Sequence, residues 1–310
     1  MHVCTLFGVT GALWCDEEII MSNKKLIVEP GGGLGNRILT LISAFNLAKD
    51  CGIDDITVLW RNNNECGCEF EDVFDSLPLP SKVKDIHFGK ESYKELIKSG
   101  RFFCALRKFL HQKIYDLFRK IVSRVQLPTK EGHNLPEYWA ELRKYVENSK
   151  SEKIYIEAYY SFYGDISCEG FSFNKGIEDG LKKFKEKNGN YVAMHIRRTD
   201  NEIAIKNSPT ELFYKKVDEI VGLNSEKKIY IATDDLEILE DMKRKWPENI
   251  ICSGSKAISR RSREGIRFAL YEMLILAGAE TIYASYGSTF SQIANLIGGN
   301  EMLVVKVDKC

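Results

Sequence analysis

Residues 191–209, YVAMHIRRTDNEIAIKNSP, run from an apolar stretch straight into a histidine, two adjacent arginines and an aspartate. The opening YVAMHI reads as a strand buried within a parallel sheet. At the carboxyl end of such a strand, side chains project into the crevice where α/β proteins bind ligands. Guanidiniums placed there match phosphate oxygens through bidentate, charge-assisted bonds. Alternation along a strand sends Arg197 and Arg198 to opposite sides. One arginine is therefore expected to face a ligand and the other to be held by a carboxylate, which Asp234 or Asp235 of IATDD (231–235) can provide. An isolated Arg-Arg pair is more often a solvated surface feature. Its place at a buried strand end, followed by an acid, favours function here.

The same α/β rhythm extends on both sides. KKLIVEP (24–30) reads as a strand, GGGLGNR (31–37) as a tight turn, ILTLISAFNLAKDCG (38–52) as a helix closed by glycine, and DDITVLW (54–60) as the next strand. Past residue 191, PTELFYKKVDEIVG and LEILEDMKRKW have helical spacing, while KKIYIATDD, ENIICS, ETIYASY and MLVVKV read as strands. The predicted fold class is therefore α/β with two parallel sheets. A chain of 310 residues suits two domains of roughly 150 residues each. KIYIEAYYSFYGD (153–165) reads as a strand entering a loop, and GIEDGLKKFKEKNGN (176–190) as a charged linker. The expected division is a leader at 1–23, an N-terminal domain at 24–185 and a C-terminal domain at 186–310.

Apolar residues at 44% and charged residues at 28% describe a globular chain. Lys plus Arg equals Asp plus Glu, 44 each, so net charge gives no reason to expect nucleic acid as a partner. Nine scattered cysteines with no C-x-x-C pair read as reduced thiols in a cytosolic protein, and Cys66 with Cys68 as side-by-side loop residues rather than a metal clip. The first twenty residues lack the cationic start and cleavage site of a secretory signal. No apolar run approaches the roughly 18 residues of a membrane span. Residues 91–130 are basic and helical in pattern, with interleaved aromatics such as Phe102 and Phe109. They read as a solvated face or as a docking segment for an anionic surface, such as a membrane leaflet or a charged acceptor.

Three further motifs carry chemistry. GGGLGNR sits between strand and helix, where glycines let backbone amides approach a phosphate. It is neither a dinucleotide fingerprint, since Asn36 or Ile38 stands where the last Gly or Ala belongs, nor a Walker loop. In IYASYGSTFSQIANLIGG (282–299), Ser288, Thr289 and Ser291 open a helix, where they can cap it, donate to a phosphate, or both. Glu272 is an acid within the apolar ALYEMLILAG (269–278) and needs a partner. A base edge with two adjacent N–H donors, such as guanine, would serve.

Taken in order, GGGLGNR, HIRRTD, IATDD and GSTFSQIA resemble the motifs of the GT-B fucosyltransferase superfamily, closest to its α-1,6 and nodulation-type branch. The resemblance implies two Rossmann-like domains facing each other across a cleft, with the acceptor on the N-terminal side and the nucleotide sugar on the C-terminal side. It implies inverting, metal-independent transfer of L-fucose from GDP-fucose to an oligosaccharide or glycolipid, with no cofactor; the scattered thiols and the basic segment 91–130 add a cytoplasmic location, peripheral on the inner membrane face. Arg197 would bind the β-phosphate beside His195, and Arg198 would be tied to Asp234 and Asp235. Ser288, Thr289 and Ser291 would hold the diphosphate, Glu272 would read guanine, and Gly33, Gly35, Asn36 and Arg37 would form the cleft loop. The α-1,6 branch carries a lysine and a proposed glutamate base where this chain has Asn201 and Ile205. Glu202 is the nearest carboxylate in sequence, followed by Asp200 and Glu29. A different nucleotide sugar, a GT-A metal site at TDD, and a non-catalytic binding module are the alternatives.

Overall fold

The computed structural model describes residues 23–87, 123–124, 135–199, 201–254 and 259–307. The expected leader up to residue 22, most of the basic segment 91–130, and Asp200 lie outside the described residues.

The N-terminal half contains β1 (Lys25–Pro30), α1 (Leu34–Asp50), β2 (Asp55–Asn62), β3 (Phe74–Ser76), β4 (Ser81–His87), β5 (Ser123–Arg124), α2 (Leu135–Asn148), β6 (Lys153–Ala158) and β7 (Ser172–Phe173). Strands β4, β2, β1, β6 and β5 pair in that order into one parallel sheet, and β3 with β7 forms an antiparallel pair. The strand order reverses between β1 and β6. Their carboxyl ends, Pro30 beside Ala158, therefore flank a switch-point crevice.

The C-terminal half contains α3 (Glu178–Asn188), β8 (Tyr191–Ile196), α4 (Glu202–Asn207), α5 (Thr210–Leu223), β9 (Lys228–Thr233), α6 (Leu236–Lys245), β10 (Ile250–Ile251), α7 (Arg263–Ala277), β11 (Thr281–Ser285), α8 (Thr289–Gly298) and β12 (Glu301–Val305). Its parallel sheet runs β10, β9, β8, β11, β12, with the reversal between β8 and β11. Every residue of YVAMHI is buried, as a central parallel strand requires. His195 is paired with Ala232 on one side and Ala284 on the other.

The predicted linker at 176–190 is instead a short 3-10 turn followed by α3. Its lysines hide a narrow apolar stripe. Phe184 stacks edge-on against Tyr191 and Tyr230, and the Tyr271 hydroxyl donates to the Gly180 carbonyl at 3.3 Å. These contacts attach α3 to the C-terminal sheet and to α7.

Among the described residues, several contacts join the halves, two of them beside the sheet ends. At the start of α1, Gly35 lies against the main chain of Thr289 at the start of α8, where a Cβ would stand about 3.1 Å from backbone atoms. Farther out, the fully buried Asp72 accepts a 2.6 Å bond from Arg263 Nε on α7, with Arg267 3.6 Å away.

Candidate functional site

A cleft of about 690 Å³ opens between the two sheet ends. It is lined from one side by Gly33–Asn36 and Glu65 and from the other by His195, Arg197, Asp234, Glu272 and Ser288. The N-termini of α1 and α8 both reach it. Neither helix has an acid in its first turn, whereas every other described α-helix carries at least one. First-turn acids neutralise the positive end of a helix dipole. The two helices at the cleft leave that positive potential for an anion.

Strand β8 ends at Ile196, and from there the chain turns over the edge of β9 rather than continuing to alternate. Asp234 gathers that turn. Its Oδ1 accepts from Arg198 N at 2.7 Å, and its Oδ2 accepts from Thr199 N (3.2 Å), Thr199 Oγ1 (2.8 Å) and Arg197 Nη1 (2.8 Å). Burial alone would raise this carboxyl. The Thr199 hydroxyl, the Arg197 guanidinium and the two amides together hold it below the usual carboxylate range.

The expected division of labour between the arginines is thus altered. Arg197 both lines the cleft and pairs with the carboxylate, while its own amide donates to Ser285 Oγ at 3.0 Å. The Arg198 guanidinium points inward over the Phe213 ring. It donates to Thr210 Oγ1 (3.0 Å), the Arg197 carbonyl (2.7 Å) and the Ser208 carbonyl (2.9 Å), not to an acid. Asp235 caps α6 by accepting from the amides of Glu237 and Ile238. Both acids of TDD thus accept hydrogen bonds at the end of β9, Asp235 through Oδ1 alone. Among the described residues no group of three or more His, Cys, Asp or Glu side chains is arranged to hold a metal ion.

His195 is buried against Phe290, with Nδ1 2.6 Å from Ser291 Oγ and 3.1 Å from Ser288 Oγ. Ser291 is fully buried and supports the imidazole from behind, while Ser288 both caps α8 and faces the cleft. Burial, and secondarily the charge of Arg197, push the imidazole pKa down to about 4. It is therefore neutral at pH 7. Because this pKa is depressed on folding, the associated stability is complete above the unfolded value of about 6.5 and is lost as pH falls through 4. His195→Gln is expected to remove about 3 kcal/mol of acid sensitivity, read as a smaller loss of denaturant midpoint between pH 7 and pH 4 than in the wild type.

Glu272 faces the cleft from α7. Its Oε1 accepts from the Tyr230 hydroxyl (2.9 Å) and from Ser253 Oγ (3.1 Å), and those two hydroxyls are 2.8 Å apart. Burial pushes its carboxyl up to about 7 against the opposing pull of the two hydroxyls. Tyr230 and Ser253 were not singled out from the sequence. Their role depends on β9, β10 and α7 coming together.

On the opposite wall, Gly32 has φ +76°, which favours glycine, and turns the chain into α1. Gly33, Gly35 and Asn36 line the cleft, but Arg37 does not belong to its surface. Arg37 is fully buried, 4.7 Å over the Trp60 ring, and donates to the Gly32 carbonyl (2.9 Å), the Arg61 carbonyl (2.7 Å) and Asn63 Oδ1 (3.1 Å). Glu29 is buried under Arg61 and the Tyr155 hydroxyl, and Glu202 is solvent-exposed on α4. The cleft instead holds Glu65. Its only sequence signal is its place just after a strand's carboxyl end. Cys66 and Cys68 follow it in the same loop, both buried, with sulfurs 3.8 Å apart.

No protein-family model and no curated protein sequence matches the chain. Solved structures do. The chain is similar to NodZ α-1,6-fucosyltransferase in crystals soaked with GDP-fucose, at 17% identity and a TM-score of 0.56, covering 88% of this chain and 92% of that one. Fucosyltransferase NodZ from Bradyrhizobium gives 0.57 over 88% and 93% at the same identity. POFUT1 in complex with GDP gives 14% identity and a TM-score of 0.54 over 92% and 99%. The chain thus has the GT-B fold, two parallel α/β domains across a cleft, that these fucosyltransferases share.

Proposed function

We propose that this protein is an inverting, metal-independent glycosyltransferase that moves L-fucose from GDP-fucose to a hydroxyl of an oligosaccharide or glycolipid. The observation that carries the reading is the meeting of Arg197 with two helix N-termini, free of first-turn acids, in one cleft between the domains. Negative charge grows on the departing diphosphate as the acceptor attacks the anomeric carbon from the opposite face. Preorganised amides and a guanidinium stabilise that charge without reorganising at the moment of reaction. Arg197, held by Asp234, and the amides opening α8 would take the diphosphate. His195 buttresses Ser288 as a neutral ring. The choice of fucose rests on likeness to enzymes whose crystals contained GDP-fucose or GDP. Among the described residues no helix is long and apolar enough to cross a membrane. Peripheral action at the cytoplasmic face is part of the proposal.

Glu272 supports guanine as the base. Its carboxylate can accept both the N1–H and the exocyclic N–H of guanine, a pair that uracil does not present. Its ionised form binds those donors, and the unliganded pKa is about 7. GDP binding at pH 7 is therefore expected to release roughly half a proton. Calorimetry in buffers of different ionisation enthalpy, with EDTA present, should show this release for GDP but not UDP, and GDP should bind more tightly. Glu272→Gln should lose the release. A preference for UDP, or no GDP binding, would sink the donor assignment.

A further inference from the structure

We infer that Glu65 is the general base that deprotonates the acceptor hydroxyl, in a sugar subsite at the switch point of the N-terminal sheet. The inference rests on the donor reading above and extends it to the acceptor side.

Three described carboxylates line the cleft: Asp234, Glu272 and Glu65. Asp234 is occupied by four donors, and Glu272 is tied to Tyr230 and Ser253 on the proposed base-reading wall. Glu65 alone of the three belongs to the N-terminal domain. An anion there would repel a diphosphate but suits a neutral sugar hydroxyl about to lose its proton.

The side chain is held in place. Glu65 Oε2 accepts from Gly32 N at 3.3 Å and lies 3.5 Å from Asn63 Nδ2. The Glu65 amide donates back to Asn63 Oδ1 at 2.9 Å, the oxygen that also receives Cys66 N and Arg37 Nη2. One residue beyond Cys66, Gly67 N donates to the Arg260 carbonyl of the other domain at 2.9 Å, which fixes the loop across the cleft.

The surroundings fit a sugar. Gly31 N donates to Ala158 O at 2.8 Å where β1 and β6 diverge. The next residue after β6, Tyr159, is 46% exposed and lays its ring against Gly31. Asn36 packs its amide against Gly32 and lines the cleft. The Asn36 amide and the Glu65 carboxylate of the cleft wall therefore both meet Gly32, and the exposed Tyr159 ring stands one residue away against Gly31. Aromatic faces accept the apolar face of a pyranose, while amide and carboxylate groups pair with its hydroxyls. Among the described residues, the other base candidates are unsuited, since Glu202 faces solvent on α4 and Glu29 is buried under Arg61 and Tyr155.

In the step assigned, the acceptor oxygen bonds to the anomeric carbon as that carbon's bond to the β-phosphate oxygen breaks. The bonding pair leaves with GDP. The hydroxyl proton passes to the Glu65 carboxylate and then to water.

The test uses water as acceptor. GDP release from GDP-fucose is measured for the wild type, Glu65→Gln and Glu65→Ala, alongside GDP binding by calorimetry. Both variants should bind GDP within about threefold of wild type and hydrolyse the donor on the order of 10²–10⁴-fold more slowly. Sodium azide, a nucleophile that needs no base, should restore turnover in Glu65→Ala by forming fucosyl azide, and should do little for the wild type. Wild-type hydrolysis that persists in both variants, a rate loss without azide rescue, or a collapse of GDP binding with the rate would overturn the role of Glu65. If the wild type neither binds GDP nor turns over GDP-fucose, the donor reading itself falls and this assignment with it.

Discussion

Arg197→Ala is expected to weaken GDP binding on the order of 100-fold and to slow transfer by 10²–10³, which corresponds to roughly 2.7–4 kcal/mol of lost charge stabilisation. The fold should survive, because Asp234 keeps its three bonds from Arg198 N, Thr199 N and Thr199 Oγ1. Arg197→Lys should recover little, since one ammonium cannot both pair with Asp234 and span two phosphate oxygens. Calorimetry with GDP, with the denaturant midpoint as a control, checks this. Unchanged GDP affinity in a folded Arg197→Ala protein would move the phosphate site away from the end of β8.

The largest stability effect is expected at Arg37. Its guanidinium is fully buried and makes three hydrogen bonds to the Gly32 carbonyl, the Arg61 carbonyl and Asn63. Arg37→Ala removes the charged donor from all three acceptors, of which the Gly32 carbonyl bond is fully buried, and opens a void under Trp60. The cost should be roughly 3–5 kcal/mol, lowering the thermal midpoint on the order of 5–10 °C. Arg37→Met, which fills the volume, should recover only the packing part of the loss. A midpoint shift below about 1 °C in a scanning calorimeter would show that the guanidinium is not what holds the glycine turn to β2.

What was legible in the sequence was the strand-turn-helix framework, because long apolar runs and glycine turns are local signals. GGGLGNR and HIRRTD announced two strand ends, and the sheet orders place both at switch points. The roles of Arg197 and Arg198 were harder to separate. Alternation is a rule for strands, and β8 stops at Ile196, so the next residues obey the hydrogen bonds offered by Asp234 instead. Residues 176–190 were misread because dense lysines outweighed Phe184 and Leu181 in a short amphipathic helix. Arg37 looked like a cleft residue because its burial comes from Trp60 and Asn63, more than twenty positions away. Glu65 carried no motif at all. Only the folding of its loop over Gly32 brings it to the cleft.

The contact between α1 and α8 has a consequence for how the molecule comes apart. Buried residues of the first half, from Leu26 through Ile38 to Trp60, belong to the same apolar cluster as Leu270, Met273, Ile293 and Ala294 of the second. Melting either half would bare apolar surface on the other, so the two halves are coupled as one cooperative unit. A fragment cut before Glu178 would expose the face of α8 that α1 covers and would tend to self-associate rather than persist as a free domain.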